Sequence, residues 1–96
     1  MDDMFNQLEV LIQERRQKPV AGSYTSHLFA RGRSKMAQKV GEEAVEVLVA
    51  ALGQGRDEQI EELADLFYHT LVLMAELELT LDDVRQKLRE RHQPRP

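Results

Sequence analysis

Apolar side chains return every three or four positions along this chain, the repeat of α-helices that bury one face. Phe5, Leu8, Leu11 and Ile12 follow Asp2 and Asp3, which can cap a helix running to about Lys18 before Pro19 stops it. Residues 19–34 are the least regular part. There Gly22-Ser23-Tyr24-Thr25 supplies a turn, Thr25 or Ser26 can cap one or two helical turns through Leu28 and Phe29, and Gly32 ends them. Met36, Val40, Ala44, Val47, Leu48 and Ala51 form one stripe of a long helix from about Ser34 to Leu52, which Gly53-Gln54-Gly55 breaks. Asp57 is placed to cap the next helix, whose first turns carry Glu58, Glu61 and Glu62 at the positive end of the macrodipole. That helix runs to about Glu78, with Ile60, Leu63, Leu66, Phe67, Leu71, Met74 and Leu77 on a broad apolar arc. Thr80 and Asp83 resemble a capping box for a shorter helix through about Arg91. The β-branched residues fall on helical rows, so no strand is predicted. The expected chain is all-α with four helices, residues 1–92 forming a single domain and 93–96 a disordered tail.

One segment bears on assembly. From Leu66 to Ala75 no residue carries a formal charge if His69 is neutral, so the helix is apolar nearly all round and has to be covered on every side. Three other helices, one of them short, leave part of it bare. A symmetric homodimer that completes a helical bundle is the economical solution.

Composition narrows the classes. With 42% hydrophobic and 31% charged residues the chain has the balance of a folded globular protein, and a net charge of −4 argues against a general nucleic-acid binder. Absence of cysteine excludes a disulfide framework, a thiolate zinc site and a cysteine nucleophile, and is compatible with a reducing cytoplasm, where we expect the protein. Met1-Asp2-Asp3 does not begin a signal peptide, and the ten uncharged residues from Leu66 are too few to span a bilayer, so no membrane partner is expected. Charge is unevenly placed: residues 1–41 carry 7 basic and 4 acidic side chains, 42–65 carry 1 and 8, and 66–96 carry 5 and 5. The excess acid sits in one stretch.

That stretch holds Glu42-Glu43-Ala44-Val45-Glu46 and then Glu62-Leu63-Ala64-Asp65. Helical spacing clusters Glu42, Glu43 and Glu46 on one helix and pairs Glu62 with Asp65 on the next. Like charges at this spacing destabilise an isolated helix. They either form ordinary solvated faces or are compensated by something else. Three features favour compensation. The Lys39–Glu43–Glu46–Ala50 stripe is flanked on both sides by apolar residues. The Glu62–Asp65 face continues into Tyr68, His69 and Val72, becoming less polar. And if the Gly53–Arg56 turn makes the helices antiparallel neighbours, Glu46 and Glu43 lie roughly 10 and 15 Å before it and Glu62 and Asp65 roughly 8 and 12 Å after it. The four carboxylates can then converge. Two such charges 4 Å apart repel by about 4 kcal/mol at an effective dielectric of 20, so a group of them takes up protons or binds a cation. With oxygen donors alone, Mg²⁺ or Mn²⁺ is favoured over zinc, and such an ion keeps open positions for phosphate oxygens.

The basic first segment offers the other half of a site. Lys35 and Lys39 precede Glu43 on the same face, and Arg31 and Arg33 lie just upstream. They either receive a polyphosphate or are ordinary solvated partners of the glutamates. Ser23, Tyr24 and Thr25 either donate hydroxyls to a ligand or simply build the turn. His69, one turn beyond Asp65, either touches substrate, orients a metal ligand or is a buried structural histidine. Tyr68 stacks on a base or packs, and Met36 and Met74 are assigned to the core.

The pattern Glu42-Glu43-x-x-Glu46 followed by Glu62-x-x-Asp65 resembles the metal-binding signature of all-α nucleotide pyrophosphohydrolases of the MazG type. More narrowly, Glu14-Arg15-Arg16, Gly22-Ser23-Tyr24-Thr25, Lys39-Val40-Gly41-Glu42-Glu43-Ala44-x-Glu46 and Glu62-x-Ala64-Asp65-Leu66-x-Tyr68-His69, in that order, resemble the phosphoribosyl-ATP pyrophosphohydrolase family of histidine biosynthesis. The likeness runs from about Leu8 to His92. It implies Mg²⁺-dependent hydrolysis of the α–β phosphoanhydride of 1-(5-phosphoribosyl)-ATP to phosphoribosyl-AMP and pyrophosphate, by a homodimer. It also implies that Glu43, Glu46, Glu62 and Asp65 bind metal, while Glu42 either supports the ligands or is the base that activates water. Ala30-Arg31-Gly32-Arg33-Ser34 departs from the Lys-Gly-Pro-Asp type of segment expected there, and the companion cyclohydrolase domain sometimes fused to this family is not expected within these 96 residues. A house-cleaning hydrolase of free nucleoside triphosphates would use the same carboxylates. A di-iron bundle needs Glu-x-x-His pairs that Glu43 and Glu62 lack. A helical adaptor module would carry the acids merely on its surface.

Overall fold

A computed structural model describes residues 3–94, and among them every regular element is helical. There are five helices, not four: α1 Met4–Gln17, α2 Tyr24–Arg31, α3 Arg33–Gly53, α4 Arg56–Glu76 and α5 Leu81–Arg91. Asp3 caps α1, accepting from the Asn6 N–H at 3.0 Å. The expected cap at Asp2 and the last two residues of the expected tail, 95–96, lie outside the described residues.

The additional element is the short turn of the sequence reading, which is a full eight-residue helix. Its cap is Ser23, whose hydroxyl accepts from the Ser26 N–H at 3.2 Å, and not Thr25 or Ser26. Ser26 cannot serve because its own hydroxyl, buried inside, accepts from the Val20 N–H at 2.9 Å. Gly32, at φ 95°, ends α2 and begins α3 in a single residue. Such a φ is open to glycine at little cost and strained for a side chain.

Gly55, not Asp57, is the N-cap of α4, and Asp57 and Glu58 lie inside its first turn. At its other end α4 stops at Glu76 in a Schellman turn: the Leu79 N–H reaches the Met74 carbonyl at 2.9 Å and the Glu78 N–H the Ala75 carbonyl at 3.1 Å. Glu78 takes the left-handed position of this turn at φ 61°. The capping box of α5 forms as its spacing predicts, Thr80 and Asp83 bonding reciprocally at 2.8 and 3.1 Å.

Helices α3 and α4 form an antiparallel hairpin. Arg33 meets Glu76 at 3.5 Å near one end, and the Gln59 amide donates to the Ala50 carbonyl at 3.1 Å near the other. Helix α1 lies along α4 in the same direction, from the edge-on Phe5–Phe67 contact at 5.6 Å to the Arg16–Glu78 pair at 3.5 Å. Ile12, Leu28, Met36, Leu71, Val72 and Ala75 make the core where α1, α2, α3 and α4 meet. Helix α5 buries no residue. It is held at its start, where Glu9 accepts from the Leu81 N–H and Arg85 donates to the Asn6 side chain, both at 2.8 Å.

The core stripe of α3 holds at Met36, which is buried, and at Val40, Ala44 and Val47, which are half-buried, and departs from expectation only toward its end. Ala50 is fully buried, whereas Leu48 is 61% exposed and Ala51 is exposed. The uncharged run of α4 also differs from expectation, since the chain itself buries Leu71, Val72 and Ala75 and leaves only Phe67 exposed. The bare apolar surface lies nearer the α3–α4 turn, because α1 begins level with Phe67 and covers little before it. It comprises Val45, Leu48, Val49 and Leu52 on α3, and a groove of about 340 Å³ between α1 and α4 lined by Met4, Phe5, Ile60, Leu63 and Phe67. No helix among the described residues is long and apolar enough to cross a membrane.

Candidate active site

The hairpin decides which acids meet. Interpolation between the Arg33–Glu76 and Ala50–Gln59 rungs puts Glu46 level with Leu63 and Glu43 level with Leu66, so the glutamates of α3 stand opposite the Glu62–Asp65 turn of α4. One carboxylate oxygen from each of Glu43, Glu62 and Asp65 lies within 4.8 Å of the others. Glu43 and Glu62 are half-buried and Asp65 is exposed. Glu46 stays outside this triad but close enough to act on Glu62.

Partial burial holds the Glu62 carboxyl above its usual 4.5, and the negative charges of Glu46, Asp65 and Glu43 push it the same way. A carboxylate in such surroundings gains from a cation. Lys39 supplies one from the α3 side, at 3.4 Å from Glu43 and 3.8 Å from Glu42. Burial by itself would lower the Lys39 ammonium, but Tyr24, Glu43 and Glu42 more than offset it, so its pKa lies above 10.5 and it remains charged. Glu42 is not part of the triad; its carboxylate is held by Lys39, which it shares with Glu43, and by the Gln38 amide at 3.3 Å. Gln38 was not singled out from the sequence, although its place one turn before Glu42 is the available signal.

The start of α2 is fastened to α4 beside these acids. The Thr25 hydroxyl bonds the Tyr68 hydroxyl, and the Tyr24 oxygen lies 3.0 Å from His69 Nε2. His69 is buried, and its Nδ1 lies 2.8 Å from the Asp65 carbonyl oxygen. Tyr24, Tyr68 and His69 pack as one ring cluster with centroids 5.0–6.2 Å apart. Burial raises the Tyr68 phenol above 10, with the Thr25 bond opposing. The structure thus brings together Tyr24, Thr25, Lys39, Glu42, Glu43, Glu62, Asp65, Tyr68 and His69. Ser23 is taken up with capping, although it stands at the same end of α2. Lys35 lies two turns before Glu43, half-buried, and Arg31 is exposed at the far end of α2; neither has an ion-pair partner among the described residues. Arg33 is drawn off to Glu76, away from the acids.

Residues 5–92 match the family described as phosphoribosyl-ATP pyrophosphohydrolase, PRA-PH. The chain belongs to this family. It is 43% identical over 93 residues to the phosphoribosyl-ATP pyrophosphatase of Clostridium botulinum, covering 97% of this chain and 81% of that one. It is 40% identical over 92 residues to the enzyme of the same name from Bacillus mycoides, covering 96% and 86%. The histidine biosynthesis bifunctional protein HisIE of Vibrio cholerae is 52% identical over 87 residues, 91% of this chain but 41% of that protein. The acid triad and Ser23–Thr25 at the start of α2 both fall inside the matched span. Family membership thus covers the whole α1–α5 unit that builds the cluster.

Proposed function

We propose that this chain hydrolyses the α–β phosphoanhydride of 1-(5-phosphoribosyl)-ATP to phosphoribosyl-AMP and pyrophosphate, the second step of L-histidine biosynthesis. The observation that carries the reading is the convergence of Glu43, Glu62 and Asp65 in a chain of this family. A donor set made only of carboxylate oxygens suits a hard divalent ion, Mg²⁺ first and Mn²⁺ as its substitute. Glu43, Glu62 and Asp65 would hold it, and Glu46 would complete the set. When bound, such an ion neutralises phosphate charge and polarises the anhydride.

The remaining work falls to the chain's own residues. Glu42, outside the triad, accepts the proton of the attacking water, whose oxygen bonds to phosphorus as the P–O bond of the anhydride breaks and pyrophosphate leaves. Lys39 holds Glu42 and Glu43 in register and faces the phosphates as a fixed cation. Lys35 and Arg31, without ion-pair partners among the described residues, receive other anionic parts of the nucleotide. Tyr68 offers a ring face for the base, and the hydroxyl-bearing start of α2, Ser23–Thr25, walls the site.

The bare patches on α3 and at the α1–α4 groove are covered by a second copy, giving a homodimer. Residues 1–92 act as one domain, working in the cytoplasm without nucleic-acid or membrane partners. The test is turnover on phosphoribosyl-ATP against a panel of free nucleoside triphosphates with Mg²⁺ present. We expect a preference in kcat/KM of about 100-fold or more, the size a site gains by engaging groups the competitor lacks. Equal or better use of free triphosphates overturns the reading in favour of a house-cleaning hydrolase.

A further inference from the structure

The Tyr24 hydroxyl has one proton, and the fold commits it inside the protein. The Asp65 carbonyl oxygen can only accept, so the His69 Nδ1 at 2.8 Å carries the ring proton. In the neutral imidazole Nε2 is then a bare lone pair, and the Tyr24 hydroxyl 3.0 Å away donates to it. His69 cannot turn over to reverse these roles cheaply. It is 6% exposed and stands edge-on to both Tyr24 and Tyr68, at 83° and 80°. Tyr24 itself is 49% exposed, so the lone pairs left on its oxygen remain available beside the Asp65 turn, to which His69 ties it.

We infer that His69 is a positioning residue that makes Tyr24 an acceptor-only contact, so that Tyr24 recognises a ribose hydroxyl of the nucleotide and not a phosphate oxygen. The inference rests on the nucleotide reading above. A phosphate oxygen at neutral pH offers no proton, and two acceptors facing each other repel. The sugar lies one ester link from the phosphates, and its hydroxyls are the proton donors of the nucleotide nearest to them. This differs from both readings open in the sequence, a hydroxyl donated to a ligand or a residue that only builds the turn.

The experiment compares Tyr24→Phe, His69→Phe, His69→Gln and the double Tyr24→Phe/His69→Phe in two readouts: KM and kcat on phosphoribosyl-ATP, and inhibition by inorganic pyrophosphate, the reaction's own product. Tyr24→Phe should raise KM about tenfold, the size of one hydrogen bond, with kcat and the pyrophosphate inhibition constant each within about twofold. His69→Phe should give the same pattern and the double variant no larger effect. His69→Gln, which retains an acceptor for Tyr24, should restore most of the affinity. A pyrophosphate constant that rises in step with KM overturns the inference, as does an unchanged KM in Tyr24→Phe or additive effects in the double. If His69→Phe does not fold, Tyr24→Phe still decides the acceptor role and His69→Gln the positioning role. Calorimetric binding of both probes runs in parallel. An inactive wild type would then overturn the proposed activity while the binding comparison still decides Tyr24.

Discussion

Glu62 is the side chain on which fold and chemistry pull in opposite directions. Its carboxyl is held above 4.5 in the folded chain by partial burial and by three neighbouring acids. A group with a raised folded pKa contributes stability that is present below its unfolded value and lost as pH rises through the folded one. In chelator, the melting temperature of Glu62→Gln should therefore pull ahead of wild type as pH climbs above 4.5; two curves that stay parallel contradict the strained cluster. Glu46→Gln and Asp65→Asn should abolish turnover while leaving the melting temperature in chelator equal or higher, because each relieves like-charge repulsion. Millimolar Mg²⁺ should raise the wild-type melting temperature, an ion at 100 times its Kd contributing about 2.7 kcal/mol. In Asp65→Asn that rise should shrink sharply, and retained activity or a retained rise refutes the proposed ligand set. The acids were legible in the sequence because helical spacing and chain level are local arithmetic. The Tyr24–His69 contact was not legible, since it joins positions 45 apart.

At the scale of elements, the long helices announce themselves by periodicity and the short one does not. Eight residues give α2 little more than two turns, too few for a repeat to stand out from a capped turn. Its cap was misplaced by two or three positions because Ser23, Thr25 and Ser26 are all good capping residues. Tertiary and turn contacts separate them: the Val20 N–H occupies the Ser26 hydroxyl and Tyr68 the Thr25 hydroxyl, leaving Ser23 to cap. The end of α4 offers a clean test of an element boundary. Glu78 holds the left-handed position of the Schellman turn at φ 61°, a conformation costing a side-chain residue about 1–2 kcal/mol. Glycine there loses more chain entropy on folding, by roughly 0.5–1 kcal/mol, and gives up an Arg16 pair at 3.5 Å that is largely exposed and worth little. Glu78→Gly should therefore stabilise the chain by about 0.5–1 kcal/mol in a denaturant titration. A loss of stability would mean the ion pair outweighs the backbone strain.

At the scale of the whole molecule, one chain leaves apolar surface that a lone small protein rarely carries. Leu52 is 90% exposed, and Val45, Leu48 and Val49 accompany it on α3. Because Leu52 makes so little contact within its own chain, Leu52→Glu should leave the stability of the monomer nearly unchanged and act on assembly. Sedimentation equilibrium should give about twice the chain mass of 11.1 kDa for wild type and a shift toward single chains for the variant. A wild type that sediments as a single chain removes the homodimer from the proposal. The sequence placed the bare surface on the Leu66–Ala75 run, where the uncharged stretch is. The direction in which α1 crosses α4 moved it toward the α3–α4 turn.

The sequence by itself determined the helical class, the stops at Pro19 and Gly53–Gly55, the capping box of α5 and the acid-bearing levels on the two long helices. All of these follow from residue spacing within a few turns. Only the tertiary structure decided that Glu43, Glu62 and Asp65 close to 4.8 Å while Glu46 stands beside them and Glu42 turns to Lys39 and Gln38. It alone decided which cations find no ion-pair partner among the described residues and that Tyr24 meets His69. Those outcomes depend on the rotation of one helix about its axis against another. A rotation of a few tens of degrees exchanges neighbours without changing any local pattern.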